Sequence, residues 1–446
     1  MSSVITIKKG LDIKLQGEAE KTLAKAAMAS SYAICPDQYI GVTPKLLVKA
    51  EDTVKVGTPL FFDKSNPEIL FTSPVSGTVK EIQRGEKRKI LSVVITPDGE
   101  MSSETFAVKP IAETSVEEIK ELMLKSGLWP SLIQRPFGLI ANPQETPRDI
   151  YVSALDTAPL AVDVNFILQN QRESFQAGLD ALSKLTSGEV HLSIGSDVST
   201  GTLSQVKGAA IHSFAGKHPA GLVGTQIAMT KPIAKGETVW TIEPQHVVMI
   251  GKLMLSGKVD FEKIVALAGS QFKKNHYVRV ISHAAIDSVA SGVEDNSRLI
   301  NGNPLSGRKI DKGGYVGFYG NAICAIPEGD YFEFVGWAMP RFKKFSASRG
   351  YFSWLTPKKK YDLDTNINGG ERAFVMNGIY EDVTPMDIYP VYLLKAVMAG
   401  DIDKMENLGI YEVIEEDLAL CEFICPSKIE WQQTLRDGIT KMIKEL

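Results

Sequence analysis

Hydrophobic positions fall in short runs near the start of the chain and in longer, helically spaced runs further on. In EDTVKVGTPLFF, Val54, Val56 and Leu60 flank a glycine turn. EILFTSPVSGTVKEI reads as a strand, a Pro-x-x-Gly turn from Pro74 to Gly77, and a second strand. KRKILSVVITPDG adds a third strand and its exit turn. Turn signals this closely spaced predict a small barrel or sandwich.

From about residue 115 the spacing changes. SVEEIKELMLKSG places Ser115 at a helix N-cap, Glu117 and Glu118 in the first turn and Gly127 at the far end. RDIYVSALDTAP and EVHLSIGS are apolar strands on either side of the amphipathic ESFQAGLDALSKLTSG, and the segment ending in VWTIEPQHVVMIGKLMLSGKVDF adds a strand and a helix. That alternation predicts an α/β domain. HYVRVIS, YVGFYGNAICAI and YFEFVGWAMP then read as strands of a compact α+β or ubiquitin-like module. A polar stretch follows, with the run Lys358, Lys359, Lys360; such a run is either a solvated loop or a docking point for an acidic partner or anionic lipid headgroups. Beyond Pro385 the text is helical: Leu393, Leu394, Val397 and Met398 form one apolar face, and Leu435, Ile439 and Ile443 another.

The chain has 446 residues, too many for one hydrophobic core. A net charge of −4 argues against a broad nucleic-acid surface. No apolar run reaches the ~18–20 residues of a membrane span. MSSVITIKKGLDIKLQG lacks the apolar core and small-residue cleavage site of a signal peptide.

The motifs of nucleotide chemistry are weak. HPAGLVGTQ holds one G-x-x-G, at Gly221 and Gly224, and no Walker motif, nucleophile elbow or H-E-x-x-H occurs. The four cysteines are Cys35, Cys324, Cys421 and Cys425, and no histidine lies at ligand spacing to them. In EEDLALCEFICPSK, Cys421-x3-Cys425-Pro426 matches the closing half of the iron–sulfur motif C-x2-C-x2-C-x3-C-P. The opening half would put cysteines where Glu415 and Leu418 stand.

EDTVKVGTPL and PVSGTVKEI resemble the two halves of a biotinyl/lipoyl-type hammerhead domain. Lys64 in DKSNPE lies near the position of a carrier lysine, but ten residues before Pro74 and without a Met-Lys-Met signal. A structural barrel carrying no cofactor is the preferred reading.

Taken together, ITIKKGLDI, FTSPVSGTV, RGEKRKILSVVI, SGLWPSLIQRPF, KHPAGLVGTQI, FVGWAMPRFKKFSASR, YEDVTPMDIYPVYLLKAVMAGD and EEDLALCEFICPSK span the chain. They resemble the A-type subunit of the bacterial Na+-translocating NADH:quinone oxidoreductases. That family is related to the C-type subunit of the Rnf complex and to the flavin subunit of respiratory complex I. The resemblance implies a biotinyl/lipoyl-like barrel-sandwich domain over 1–105 and a Rossmann-like α/β domain without a glycine-rich flavin loop over 106–270. It further implies an SLBB/ubiquitin-like β module over 271–350, then a linker and C-terminal helical domain with a vestigial cluster motif over 351–446.

In the complex I subunit a glycine-rich loop holds FMN, and in both relatives a cysteine motif holds an iron–sulfur cluster. Here Trp129, Pro130 and Gln134 bring bulk and a missing amide to the loop region. The resemblance therefore implies a chain with no catalytic, metal or cofactor site of its own. Cys421 and Cys425 become small buried hydrophobes, and NADH, flavins and an iron–sulfur cluster are handled on other subunits. The partners implied are those subunits, and the place is the cytoplasmic face of the bacterial inner membrane, with the isolated chain soluble. Quinone contact is expected through Cys35, Tyr39 and Gly41 in the segment from Ile34 to Val42, and through Trp129, Arg135 and Phe137. Aromatic rings would suit a quinone ring, and Arg135 its carbonyl. Two alternatives stay open: a carrier component modified at Lys64, and a flavin-linked component of an NADH dehydrogenase.

Overall fold

Ile150–Ala154 and Val190–Gly195 are almost entirely buried, as expected of strands covered on both faces. In the computed structural model, which describes residues 3–198, 201–339 and 341–445 and omits the side chain of Trp337, they sit at the centre of a seven-stranded sheet. Pro340 and the Trp337 side chain of FVGWAMPRFKKFSASR thus lie outside the described residues. The sheet order is Ile5–Ile7, Ala210–Gly216, Val190–Gly195, Ile150–Ala154, Val239–Ile242, Ile133–Arg135, Leu139–Ile140. The first five strands are parallel, and the last two form an antiparallel hairpin on the edge. From Ile150–Ala154 the chain first winds one way, through Val190–Gly195 to Ala210–Gly216. It then returns to place Val239–Ile242 on the other side, which makes a topological switch point.

The helix Val116–Ser126 forms as the sequence predicts. Ser115 and Glu118 make a reciprocal capping box, and Gly127 closes the helix in the left-handed conformation at φ 78°. Arg172–Ser183 and Pro244–Ser256 are the other long helices of this domain.

A barrel is built from a four-stranded sheet (Tyr32–Ile34, Ile90–Pro97, Gly77–Arg84, Thr53–Val54) and a three-stranded one (Pro44–Leu46, Pro59–Asp63, Leu70–Thr72). Phe61 stacks on Phe71 inside it, with ring centroids 4.6 Å apart. Lys64 lies exposed on the turn after Pro59–Asp63, its N–H bonded to the Thr43 carbonyl at 2.8 Å.

A six-stranded sheet runs Arg308–Ile310, Ser297–Asn301, Ala322–Pro327, Glu262–Ala268, His276–Ile281, Glu20–Lys25. Its last strand comes from the N-terminal segment, as does Ile5–Ile7 of the large sheet, so residues ahead of Tyr32 serve two other sheets rather than the barrel. Glu262–Ala268, within the span expected to be α/β, also pairs in this sheet. Local spacing shows that such segments are strands but not which sheet they join, because a strand's partners are set by tertiary register.

YFEFVGWAMP is not a strand. Its described residues have no ladder partner, Val335 turns left-handed at φ 51°, and the regular piece among them is a short 3-10 turn at Gly336–Ala338. Of the basic run, Lys359 donates to the Phe342 carbonyl at 2.6 Å and Lys360 pairs with Glu18 at 2.7 Å.

The C-terminal part comprises Pro390–Ala399, Ile402–Asn407, Ala419–Ile424 and Trp431–Glu445. Leu393, Leu394, Val397, Leu435 and Ile439 are buried as expected, but Met398 faces solvent. Among the described residues no helix is long and apolar enough to cross a membrane.

Candidate functional site

At the switch point the carboxyl ends of Ile150–Ala154 and Val239–Ile242 separate, and a cleft of ≈ 480 Å³ opens there. Ligands of open α/β sheets bind at this place because the diverging loops leave a crevice above the strands. Leu155 and Asp156 follow one strand and Glu243 and Pro244 the other, and all four line the cleft. Leu160, Val162, Val164, Leu222, Ile133 and Ile140 give it apolar walls. Gly302, Asn303, Tyr319 and Gly320 reach in from the six-stranded sheet, and Ile414, Glu415, Glu416 and Gln432 from the helical part.

The units are tied together around it. Tyr319 Oη donates to the Pro130 carbonyl at 2.6 Å. Lys263, buried, donates to the carbonyls of Gly317, Phe318 and Gly320 at 2.7, 3.0 and 2.9 Å, holding the loop that carries Tyr319. Burial lowers the Lys263 ammonium to about 8. Gln432 Nε2 donates to the Leu305 carbonyl at 3.1 Å.

Arg135 is the central charged group. It is 1% exposed. Nη1 lies 2.7 Å from Asp417 Oδ2, and Nη2 lies 2.8 Å from Glu416 Oε1. Asp417 Oδ2 also accepts the Ile414 N–H at 2.9 Å. Burial, with Asp417 and Glu415 close by, raises the Glu416 carboxyl above its ordinary range against the pull of Arg135. Glu415 forms a two-pronged ion pair with Arg436, whose Nη1 donates to the Phe137 carbonyl at 2.8 Å. The stretch carrying Glu415 and Leu418 at the two absent cysteine positions thus braces the hairpin of Ile133–Arg135 and Leu139–Ile140.

Of the six residues expected to meet a quinone ring, Arg135 borders this cleft and the other five are not among its walls. Trp129 is fully buried behind it, its Nε1 donating to the Ala141 carbonyl at 2.7 Å and its ring edge-on to Trp240 at 5.5 Å. Phe137 packs on Tyr411 at 5.9 Å. Tyr39 is buried against Phe71 and Tyr319, at 4.6 and 5.7 Å. Cys35 is half-buried, and desolvation lifts its thiol to about 12. Gly41 abuts Leu139. Gln38 and Ile40, the neighbours of Tyr39, are the residues of that segment that border the cleft.

The G-x-x-G that seemed too weak to matter is also here. Val223–Thr230 begins at the cleft, and side chains at either glycine would collide. A Cβ on Gly221 would lie 2.7 Å from the Thr157 nitrogen, and one on Gly224 would lie 2.1 Å from Asp417 Oδ1.

Trp129, Pro130 and Ser131 are buried beside the cleft, and Asp156, Glu243, Glu415 and Glu416 border it. Cys421 and Cys425 are buried, and among the described residues no group of three or more metal-ligating side chains comes together. Cys425 is more than packing, because Tyr380 Oη lies 3.2 Å from its Sγ.

Residues 5–98 match the family described as the NqrA N-terminal barrel-sandwich hybrid domain, residues 114–259 the NqrA second alpha/beta domain, and residues 264–312 the NQRA C-terminal domain. The chain is 39% identical over 450 residues to the NqrA chain of the Na(+)-translocating NADH-quinone reductase of Neisseria meningitidis serogroup A, covering 99% of this chain and 100% of that one. It is 40% identical over 453 residues to the Pasteurella multocida protein of the same name, again covering 99% and 100%. With identity of this level end to end, the chain belongs to the NqrA family, the A-type subunits of the Na+-translocating NADH-quinone reductases.

Proposed function

We propose that this chain works as a peripheral subunit of a Na+-translocating NADH-quinone reductase, holds no redox cofactor itself, and takes a quinone ring in the cleft at the switch point. The observation that carries the reading is the cleft's lining: apolar walls from Ile133, Leu155, Leu160 and Leu222, interspersed with hydrogen-bonding groups such as Gln38, Ser131 and Asn303. A flat ring with two carbonyl acceptors suits such walls, and polar groups such as Ser131 and Asn303 can meet its oxygens. Trp129 acts from behind as a rigid support, and Arg135 shapes the wall while bound to Asp417. NADH, flavins and iron–sulfur chemistry then belong to other subunits. They also supply attachment to the cytoplasmic face of the inner membrane, which is in keeping with a chain lacking a membrane-crossing helix among its described residues.

The test is titration of the purified chain and of the assembled complex with a short-chain ubiquinone. Leu222→Trp, which fills the cleft, is expected to weaken binding about ten-fold or more. Unchanged affinity, with assembly intact, would move the quinone elsewhere in the complex.

A further inference from the structure

Carboxylates of this chain lie beside both helices whose N-termini open onto the cleft, without bonding to the helices' own N–H groups. Val223–Thr230 begins with Gly224 pressed against Asp417, whose Oδ1 has no hydrogen-bond partner although the residue is 7% exposed. Pro244–Ser256 has Glu243 at its N-cap, and Glu243 Oε1 accepts the Gly320 N–H at 3.0 Å. A helix N-terminus favours anions through its dipole and its free N–H groups, so these are the places where a ligand phosphate would ordinarily settle. Here a carboxylate of the chain already lies close to each.

The rest of the wall adds more. Asp156, Glu415 and Glu416 border the same space. Of its two arginines, Arg135 is paired with Asp417 and Glu416, and Arg308 is exposed and donates to the Asp37 carbonyl at 2.5 Å. A second anion entering this partly desolvated cleft meets four carboxylates of the wall, Asp156, Glu243, Glu415 and Glu416, against two guanidiniums, and like charges repel more strongly there than in water.

We propose that the cleft admits an uncharged flat ring and rejects the same ring bearing a phosphate or sulfonate, with Glu243 and Glu416 of the wall setting that selectivity. The inference rests on the reading of the cleft as a ring site. It makes the exclusion of flavin nucleotides and dinucleotides a matter of charge.

The probes are 2-(hydroxymethyl)anthraquinone and anthraquinone-2-sulfonate, which share a ring and differ in charge. Each is titrated against the full chain and the complex, at low and high salt, in wild type, Glu243→Gln and Glu416→Gln. Glutamine at 243 keeps an acceptor for Gly320. The wild type is expected to bind the neutral ring at least about ten-fold more tightly at low salt. The gap should shrink at high salt and in each variant. The salt series needs no variant, so a poorly folding substitution leaves the test intact. Equal binding of the two probes overturns the charge selectivity and leaves the ring site standing. A gap insensitive to salt and to both substitutions overturns it as well, because the discrimination is then steric. Failure of both probes to bind overturns the ring reading and this inference together.

Discussion

Arg135 Nη1 and Asp417 Oδ2 meet at 2.7 Å across 282 positions of sequence, both side chains essentially sealed from solvent. The pair joins the edge hairpin of the α/β sheet to the short 3-10 turn Glu415–Leu418. With Glu416 on the other guanidinium nitrogen, this one arginine of the cleft wall holds two carboxylates. A buried pair of this kind costs desolvation of both ions and is stable only while both are present.

Arg135→Ala is therefore expected to destabilise the protein by about 3–5 kcal/mol, because Asp417 is left buried and unpaired. Removing both charges with Arg135→Met and Asp417→Leu should cost less than the single change. Urea melts of the wild type, Arg135→Ala, Arg135→Met, Asp417→Leu and the double variant check this. A double variant as unstable as the sum of the singles would show that the two residues act independently.

Local signals in the sequence survive well in this fold. Ser115, Glu118 and Gly127 mark a helix and its ends from side-chain chemistry alone, since caps are made within a few residues. The switch-point cleft is harder to read, because its walls come from segments hundreds of positions apart. Nothing near Asp417 in sequence announces that it will lie against Gly224. The segment from Ile34 to Val42 does reach the cleft, but through Gln38 and Ile40 rather than Tyr39 and Gly41, because a short 3-10 turn at Pro36–Gln38 sets which side chains face it and the Tyr39 ring packs on Phe71 and Tyr319. Aromatic content pointed to Trp129 as a ligand group; its burial against Trp240 makes it core. YFEFVGWAMP has strand composition without a neighbouring edge to pair with, and composition alone does not make a strand.

Acid should loosen the region behind the cleft. His246 stacks on Phe318 at 4.5 Å, and burial lowers its imidazole from 6.5 to about 4. His283 lies parallel to the same ring at 6.0 Å and is lowered to about 3 by burial and the Lys263 charge. Below pH ~6.5 the unfolded chain takes up protons that the folded chain refuses. Stability is then full above that pH and falls as pH drops toward the folded values, by up to about 1.4 kcal/mol per pH unit for each histidine. His246→Phe keeps the stacking and removes one proton site. Its acid-unfolding midpoint should lie at lower pH than the wild type's; an unchanged midpoint would rule His246 out as a contributor.

The two remaining cysteines of the cluster motif should differ in weight. Burial alone would raise the Cys425 thiol, but hydrogen bonds led by Tyr380 outweigh it and lower it below 9.0. Tyr380 Oη has that sulfur as its hydrogen-bond partner, whereas Thr384, beside Cys421, also donates to the Tyr380 carbonyl at 2.9 Å. Cys425→Ala strands a buried hydroxyl and should cost about 1–3 kcal/mol, with part regained in Cys425→Ser. Cys421→Ala should cost about 1 kcal/mol through lost packing. Iron content and visible absorbance of the anaerobically purified wild type should both be negligible. Equal losses in the two alanine variants would mean that the Tyr380 contact adds nothing.

Gly224 offers the sharpest check on the cleft wall. Replacing a glycine inside a helix by alanine ordinarily stabilises by about 1 kcal/mol. At this position the added methyl would lie 2.1 Å from Asp417 Oδ1 and 2.6 Å from Arg135 Nη1. Neither neighbour can swing away without breaking the buried pair, so Gly224→Ala should destabilise, by roughly 1–3 kcal/mol as for other overpacked sites. Shortening the opposing side chain makes room. In the Asp417→Ala background, where the ion pair is already lost, Gly224→Ala should cost little and recover part of the helix propensity. The double-mutant cycle then gives a coupling of about 1 kcal/mol or more. Additive effects would show that Asp417 does not press on the helix N-terminus.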